Sequence, residues 1–187
     1  DIARVAKDNN CKSHIDGARI FNASVSSSLS TQRMAREYDT ISVCLSKGLG
    51  APVGSVLVGS SETLYKAHRW RKMFGGGMRQ AGVLAAAGIY ALDNNVDRLS
   101  KDHLRARKIA EAVNSMDSYS VDLKQVQTNM VYVGCEEGES ENLVKRLENN
   151  GIQTLTINDS TIRIVTHLHI TDDDVRKTIE ALESAQK

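Results

Sequence analysis

SVCLSKGLGAPVGSVLVG, from Ser42 to Gly59, holds the pattern on which the reading of this chain turns. An extended run from Tyr38 to Leu45 ends at Ser46-Lys47-Gly48, and a second, rich in Val and Leu, follows from Gly54 to Val58. The glycines between them let backbone approach a bound group closely and adopt φ values that other residues resist. A lysine at such a strand end can belong to a phosphate-cradling loop, serve as a Schiff-base lysine, or sit solvated in an ordinary turn, and composition alone favours the turn. The nucleotide P-loop form of the first reading fails, because Lys47 precedes the glycines and GxxxxGK[ST] is absent.

Moving upstream, Ile2, Val5 and Ala6 keep a helical spacing that stops near Asn9-Asn10. A short extended run from Lys12 to Ile15 then ends at Asp16-Gly17. Asp16 and Lys47 thus both fall at strand ends, where loops in open α/β sheets converge on a ligand crevice. Asp-Gly is also a common turn, in which the Asp bonds its own backbone. As a pair the two residues carry more, since a pyridoxal cofactor needs a lysine for its imine and an anion that keeps the pyridine nitrogen protonated.

Downstream, Ser61 to Met73 reads as a basic helix, broken by Gly75-Gly76-Gly77, with helices over Ala81 to Leu92 and Val96 to Met116. After Ser118 the pattern changes to short strands at Val121 to Leu123, Met130 to Val133, Ile152 to Ile157 and Ile162 to Val165. Helices run from Glu139 to Asn149 and from Thr171-Asp172 onward. This organisation predicts an α/β region over 1–98 and a compact α+β unit over 99–187.

With 24 basic and 23 acidic residues the chain has no global field to draw nucleic acid or an anionic membrane, so small molecules or proteins are the expected partners. Hydrophobic residues at 41% permit a core, which must be aliphatic because aromatics are 4%. No apolar stretch nears a membrane span, and DIARVAKDNN reads as a helix face rather than a signal peptide, so a cytoplasmic protein is expected. Cys11, Cys44 and Cys135 form no CxxC pair, and His68, His103 and His169 lack converging ligand spacing; no metal site is expected. Without an initiator Met, and with a helix already under way, the sequence reads as a piece of a longer protein.

Three dense stretches, HIDGARIFNAS (His14 to Ser24), Ser42 to Gly59, and RWRKMFGGGMRQAG (Arg69 to Gly82), with the weaker IRIVTHLHIT (Ile162 to Thr171), resemble in order the C-terminal portion of the low-specificity L-threonine aldolases, pyridoxal-phosphate enzymes of the beta-eliminating lyase type. The resemblance implies the aspartate-aminotransferase-type fold (fold type I), with residues 1–98 finishing a large domain and 99–187 forming the small one. It implies pyridoxal 5'-phosphate held by Lys47, Asp16 at its pyridine nitrogen, Arg19 on its ring-oxygen side, and Lys72 and Arg79 reaching a cofactor phosphate across a subunit interface. Arg163 is implied to bind the substrate carboxylate. His14 and His167 lie inside the matching stretches and are read as structural.

Lys66, Arg69 and Arg71 are read as a solvated helix face. The implied reaction is aldol cleavage of L-threonine or L-allo-threonine to glycine and acetaldehyde, in a homo-oligomer built as a dimer-based tetramer together with an upstream half that carries the phosphate loop and the stacking aromatic residue. A lyase acting on other β-hydroxy amino acids, or a catalytically silent fragment that binds a partner subunit, are the alternatives.

Overall fold

A computed structural model describes residues 2–186. The chain divides into two compact units, one ending at Asp97 and the other beginning at Arg98. The first contains α1 (Ile2–Asp8), β1 (His14–Asp16), α2 (Ile20–Ser27), α3 (Thr31–Ala35), β2 (Thr40–Cys44), β3 (Ser55–Gly59), α4 (Ser61–Met73) and α5 (Gly82–Asn94). The second contains α6 (Leu99–Val113), β4 (Met130–Gly134), α7 (Ser140–Asn149), β5 (Leu155–Asn158), β6 (Thr161–Val165) and α8 (Asp172–Ser184).

In the first unit the sheet order is β1-β2-β3, with β1 and β2 parallel and β2 and β3 antiparallel. A parallel pair needs a crossover connection, which α2 and α3 supply. Neither helix is legible in the sequence: the serines of α2 favour turns, and α3, TQRMA, is too short to show a helical period. Burial of Ile20 and Asn22 overrides that preference, and the Ser30 hydroxyl caps α3 by accepting the Arg33 N–H at 3.2 Å.

The second unit is a three-stranded antiparallel sheet, β4-β6-β5, packed on helices. Its core gathers Val131 and Val133 of β4, Ile162 and Ile164 of β6, and apolar faces of α6, α7 and α8, including Ile109, Leu143, Leu147 and Leu182. The strand expected at Val121 to Leu123 is absent; only an isolated bridge between Ser120 and Gly134 forms there. The Asp122 carboxylate instead accepts the Lys124 N–H at 2.9 Å and the Gln125 side chain at 3.0 Å, bending the chain into a turn. β5 begins at Leu155 rather than Ile152, because the Ile152 N–H donates to the Leu147 carbonyl and that of Gly151 to Glu148. These two bonds close α7 in a Schellman motif, with Gly151 at φ 77° in the left-handed position.

No helix among the described residues is long and apolar enough to cross a membrane.

Candidate active site

Parallel pairing puts the carboxyl ends of β1 and β2 on one edge of the sheet. His14, Ile15 and Asp16 lie opposite Thr40, Ile41 and Ser42, so Asp16 ends β1 while β2 runs on to Cys44, three residues before Lys47. Asp16 accepts the Ala18 N–H at 3.1 Å on one carboxylate oxygen, which turns the chain sharply after the strand. Gly17 extends the pairing, its N–H donating to the Ser42 carbonyl at 2.8 Å. A Cβ at Gly17 would lie 2.8 Å from that carbonyl oxygen, so this close approach excludes a side chain. At the other end of the pair, Asp39 accepts Lys12 Nζ at 2.8 Å and the Ser13 N–H at 2.9 Å, and these bonds hold its carboxyl down to about 2. His14 Nδ1 lies 2.8 Å from Thr40 Oγ1, a cross-strand pair in keeping with a structural histidine.

The lysine loop is anchored from both sides. Leu45 N–H donates to Gly54 O, Gly50 N–H to Lys47 O, and Ala51 N–H to Leu45 O, while Leu49 and Ala51 are buried. Asn95, at the end of α5, donates its side-chain amide to the Leu49 carbonyl at 2.7 Å. Gly88 of α5 packs so closely on the Leu45 side chain that a Cβ there would come within 2.9 Å of it. Lys47 itself is exposed and has no ion pair among the described residues. The anchoring role of Asn95 and Gly88 is not legible locally, because each lies more than 40 residues from the loop residue it touches, Leu49 and Leu45.

Arg19, half-buried, directly precedes α2, three residues beyond Asp16. Lys72 lies in the last turn of α4, and Arg79 follows the glycine run; both are exposed. The run closes α4 with a second Schellman motif: Gly75 at φ 83° donates to Lys72 O, and Gly76 donates to Arg71 O at 2.8 Å. Gly77 packs against the Lys72 stem, where a Cβ would fall 2.6 Å from Cδ. Lys66 pairs with Glu62 at 2.7 Å along α4, as a solvated helix face would.

Arg163 lies in the second unit, on the central strand β6, opposite Tyr132 of β4 and Leu155 of β5. Its neighbours Ile162 and Ile164 face the core, so alternation puts Arg163 on the other face. Among the described residues it has no ion pair, and its Nε is buried without a hydrogen-bond partner. No group of three or more His, Cys, Asp or Glu side chains that could hold a metal ion is found among the described residues.

The profile of the beta-eliminating lyase family matches residues 1–136, a span that includes both strand ends and the glycine run. The chain belongs to the beta-eliminating lyase family. It is 46% identical over 187 residues to low-specificity L-threonine aldolase 1 of Arabidopsis thaliana, an alignment covering 98% of this chain and 52% of the relative. With the low specificity L-threonine aldolase of Escherichia coli (strain K12) it is 45% identical over 170 residues, covering 90% and 49%. The chain therefore spans about half the length of the curated relatives it matches, and the matched half is their C-terminal portion. The structure of the Leishmania major threonine aldolase superposes with a TM-score of 0.79 over 100% of this chain and 55% of that one, at 19% identity. That likeness concerns the fold, and it bears out the aspartate-aminotransferase-type α/β architecture.

Proposed function

We propose that this member of the beta-eliminating lyase family contributes to a pyridoxal-phosphate-dependent aldehyde-lyase that cleaves L-threonine and L-allo-threonine to glycine and acetaldehyde. The observation that carries the reading is the joint position of Asp16 and Lys47, at the carboxyl ends of neighbouring parallel strands. The residues of the first unit fit the cofactor: an amine in an anchored glycine loop and a carboxylate at the adjoining strand end.

Lys47 would hold pyridoxal 5'-phosphate covalently through Nζ, as a Schiff base. When bound, the cofactor supplies an electron sink for the pair released by the breaking Cα–Cβ bond. The Asp16 carboxylate would hold a proton at the pyridine nitrogen through a charge-assisted hydrogen bond. Arg19 would lie on the ring-oxygen side, and Lys72 and Arg79 would neutralise the phosphate from a neighbouring subunit. Arg163 would bind the substrate carboxylate with its planar fork and so orient the scissile bond.

The upstream half of the same enzyme would cover the apolar cleft of about 320 Å³ lined by Ile20, Ile41, Val43, Val56, Val58 and Leu92. Exposed Tyr65, Phe74 and Val83 would serve assembly into dimer-based homotetramers.

The test is Lys47→Ala in the full-length protein. Loss of both the visible absorbance of lysine-bound cofactor and of aldol cleavage is the expected outcome. Near-normal cleavage in the variant would overturn the reading.

A further inference from the structure

The two strands that present Arg163 are patterned by simple alternation. Val131 and Val133 of β4 and Ile162 and Ile164 of β6 face the core, and Tyr132 and Arg163 face away. Such a pattern penalises a slip of one residue, which would turn every side chain to the opposite face. It does not penalise a slip of two, which keeps the apolar residues inside while carrying Arg163 along the strand by about 7 Å, twice the rise per residue. Something other than hydrophobic patterning must therefore hold the register.

Just past the last paired residues, Met130 and Val165, stand Asn129 and Thr166, each 1% exposed. Thr166 N–H donates to the Asn129 carbonyl at 3.0 Å, and the Asn129 side-chain amide donates to the Thr166 carbonyl at 2.7 Å. The Thr166 hydroxyl donates to the backbone carbonyl of Asp102 in α6 at 2.7 Å. Asp102, fully buried, is itself gripped through its carboxylate by Arg98 one turn earlier. The end of β6 is thus bolted to the entry of β4 and to α6 by polar groups inside the core. Asn129 Oδ1 is buried without a partner, so this side chain sits in the core at a cost to stability. A buried polar group kept at such a cost is the kind that selects one register over its competitors.

We propose that Asn129 and Thr166 are positioning residues for Arg163: they set the register of β6 against β4 and so fix where the guanidinium is presented. The proposal rests on the reading of Arg163 as the carboxylate-binding arginine. A two-residue slip would leave the Asn129 amide and the Thr166 hydroxyl buried with no acceptor opposite, and the bolted arrangement prevails for that reason.

The test compares Asn129→Leu combined with Thr166→Val against Leu143→Ala, a core substitution on α7 that removes none of the bolt's hydrogen bonds, in the full-length cofactor-loaded protein. Amide hydrogen exchange over residues 161–166 and KM and kcat for threonine are measured, with Tm to match the two for stability loss. The bolt variant is expected to exchange faster across β6 than the control. Its KM should rise roughly tenfold, the worth of one hydrogen bond to a charged group, with kcat little changed. Thr166→Ser, which keeps the hydroxyl, should restore both. Exchange over 161–166 no faster than in Leu143→Ala overturns the proposal. Arg163→Ala is run in the same assay. If it raises KM while the bolt variant does not, the positioning role falls; if Arg163→Ala itself leaves KM unchanged, the carboxylate reading falls, and exchange alone decides the register claim.

Discussion

At the residue scale, the arginine on β6 and the carboxylate beside β1 behave oppositely. Arg163 has no ion pair among the described residues, whereas Asp39 is saturated with donors. For the proposed carboxylate clamp, Arg163→Ala should lower kcat/KM for threonine by at least about tenfold, because a hydrogen bond to a charged group contributes roughly 1.5–3 kcal/mol. Arg163→Lys should recover little, since an ammonium cannot reproduce the fork. Kinetics of both variants decide this; unchanged values would move substrate recognition elsewhere.

Asp39 makes a different prediction, one about pH. Its carboxyl titrates at about 2 in the folded chain against an ordinary 3.8, so its contribution to stability is fully present above the ordinary value and lost as pH falls through about 2. Asp39→Asn should therefore destabilise at neutral pH, with the difference from the parent closing between those two values. The effect is small, because Lys12 is 90% exposed and well solvated. Thermal melts across that range test it, and a difference that stays constant to pH 2 would sink the assignment.

At the element scale, helix ends in this chain are set by recognisable local devices. α8 starts with a capping box, in which the Thr171 hydroxyl accepts the Asp174 N–H at 3.2 Å and the Asp174 carboxylate accepts the Thr171 N–H at 2.8 Å. Thr171→Ala should cost about 1 kcal/mol, and Thr171→Ser should cost much less. Urea unfolding of both variants measures it, and equal stabilities would show that the box contributes nothing. α4 and α7 end instead in Schellman motifs at Gly75 and Gly151. That motif also explains why β5 is shorter than its apolar run: Ile152 closes a helix before the strand can begin.

At the scale of the whole molecule, the two units are unequally provided with core. Among the described residues, the buried cluster that runs from Ala106 to Ala185 lies wholly in the second, while the buried apolar residues of the first are Ala3, Ile20, Ile41, Leu49, Ala51 and Ala91. The strand β3 in the first unit exposes Val56 and Val58 on one face, beside the cleft they line, and that apolar surface is of the sort that marks an interaction site. Residues 98–187 expressed alone should accordingly fold, giving dispersed amide resonances and one cooperative urea transition, whereas 1–97 alone should bind a hydrophobic dye. Failure of 98–187 to give dispersed resonances would refute this.

Patterns of short range were legible in the sequence. Short extended runs mark β2, β4 and β6, the glycines and Asp-Gly mark the turns, and Lys47 and Asp16 fall at strand ends because a strand followed by a turn is a local signal. The helix α2 was not legible, since its serine-rich segment turns helical only when Ile20 and Asn22 find a core to enter, and α3 was not because five residues show no period. Nor was Val121 to Leu123, where the Asp122 side chain competes for the backbone. Only the tertiary structure decided that β1 and β2 pair in parallel, which brings Asp16 and Lys47 to one edge. It alone showed that Asn95 holds the lysine loop and that Asn129 meets Thr166, because these partners are separated by 46 and 37 residues. Hydrogen bonds over such distances have no signature in local composition; they exist only once the core has brought the strands together.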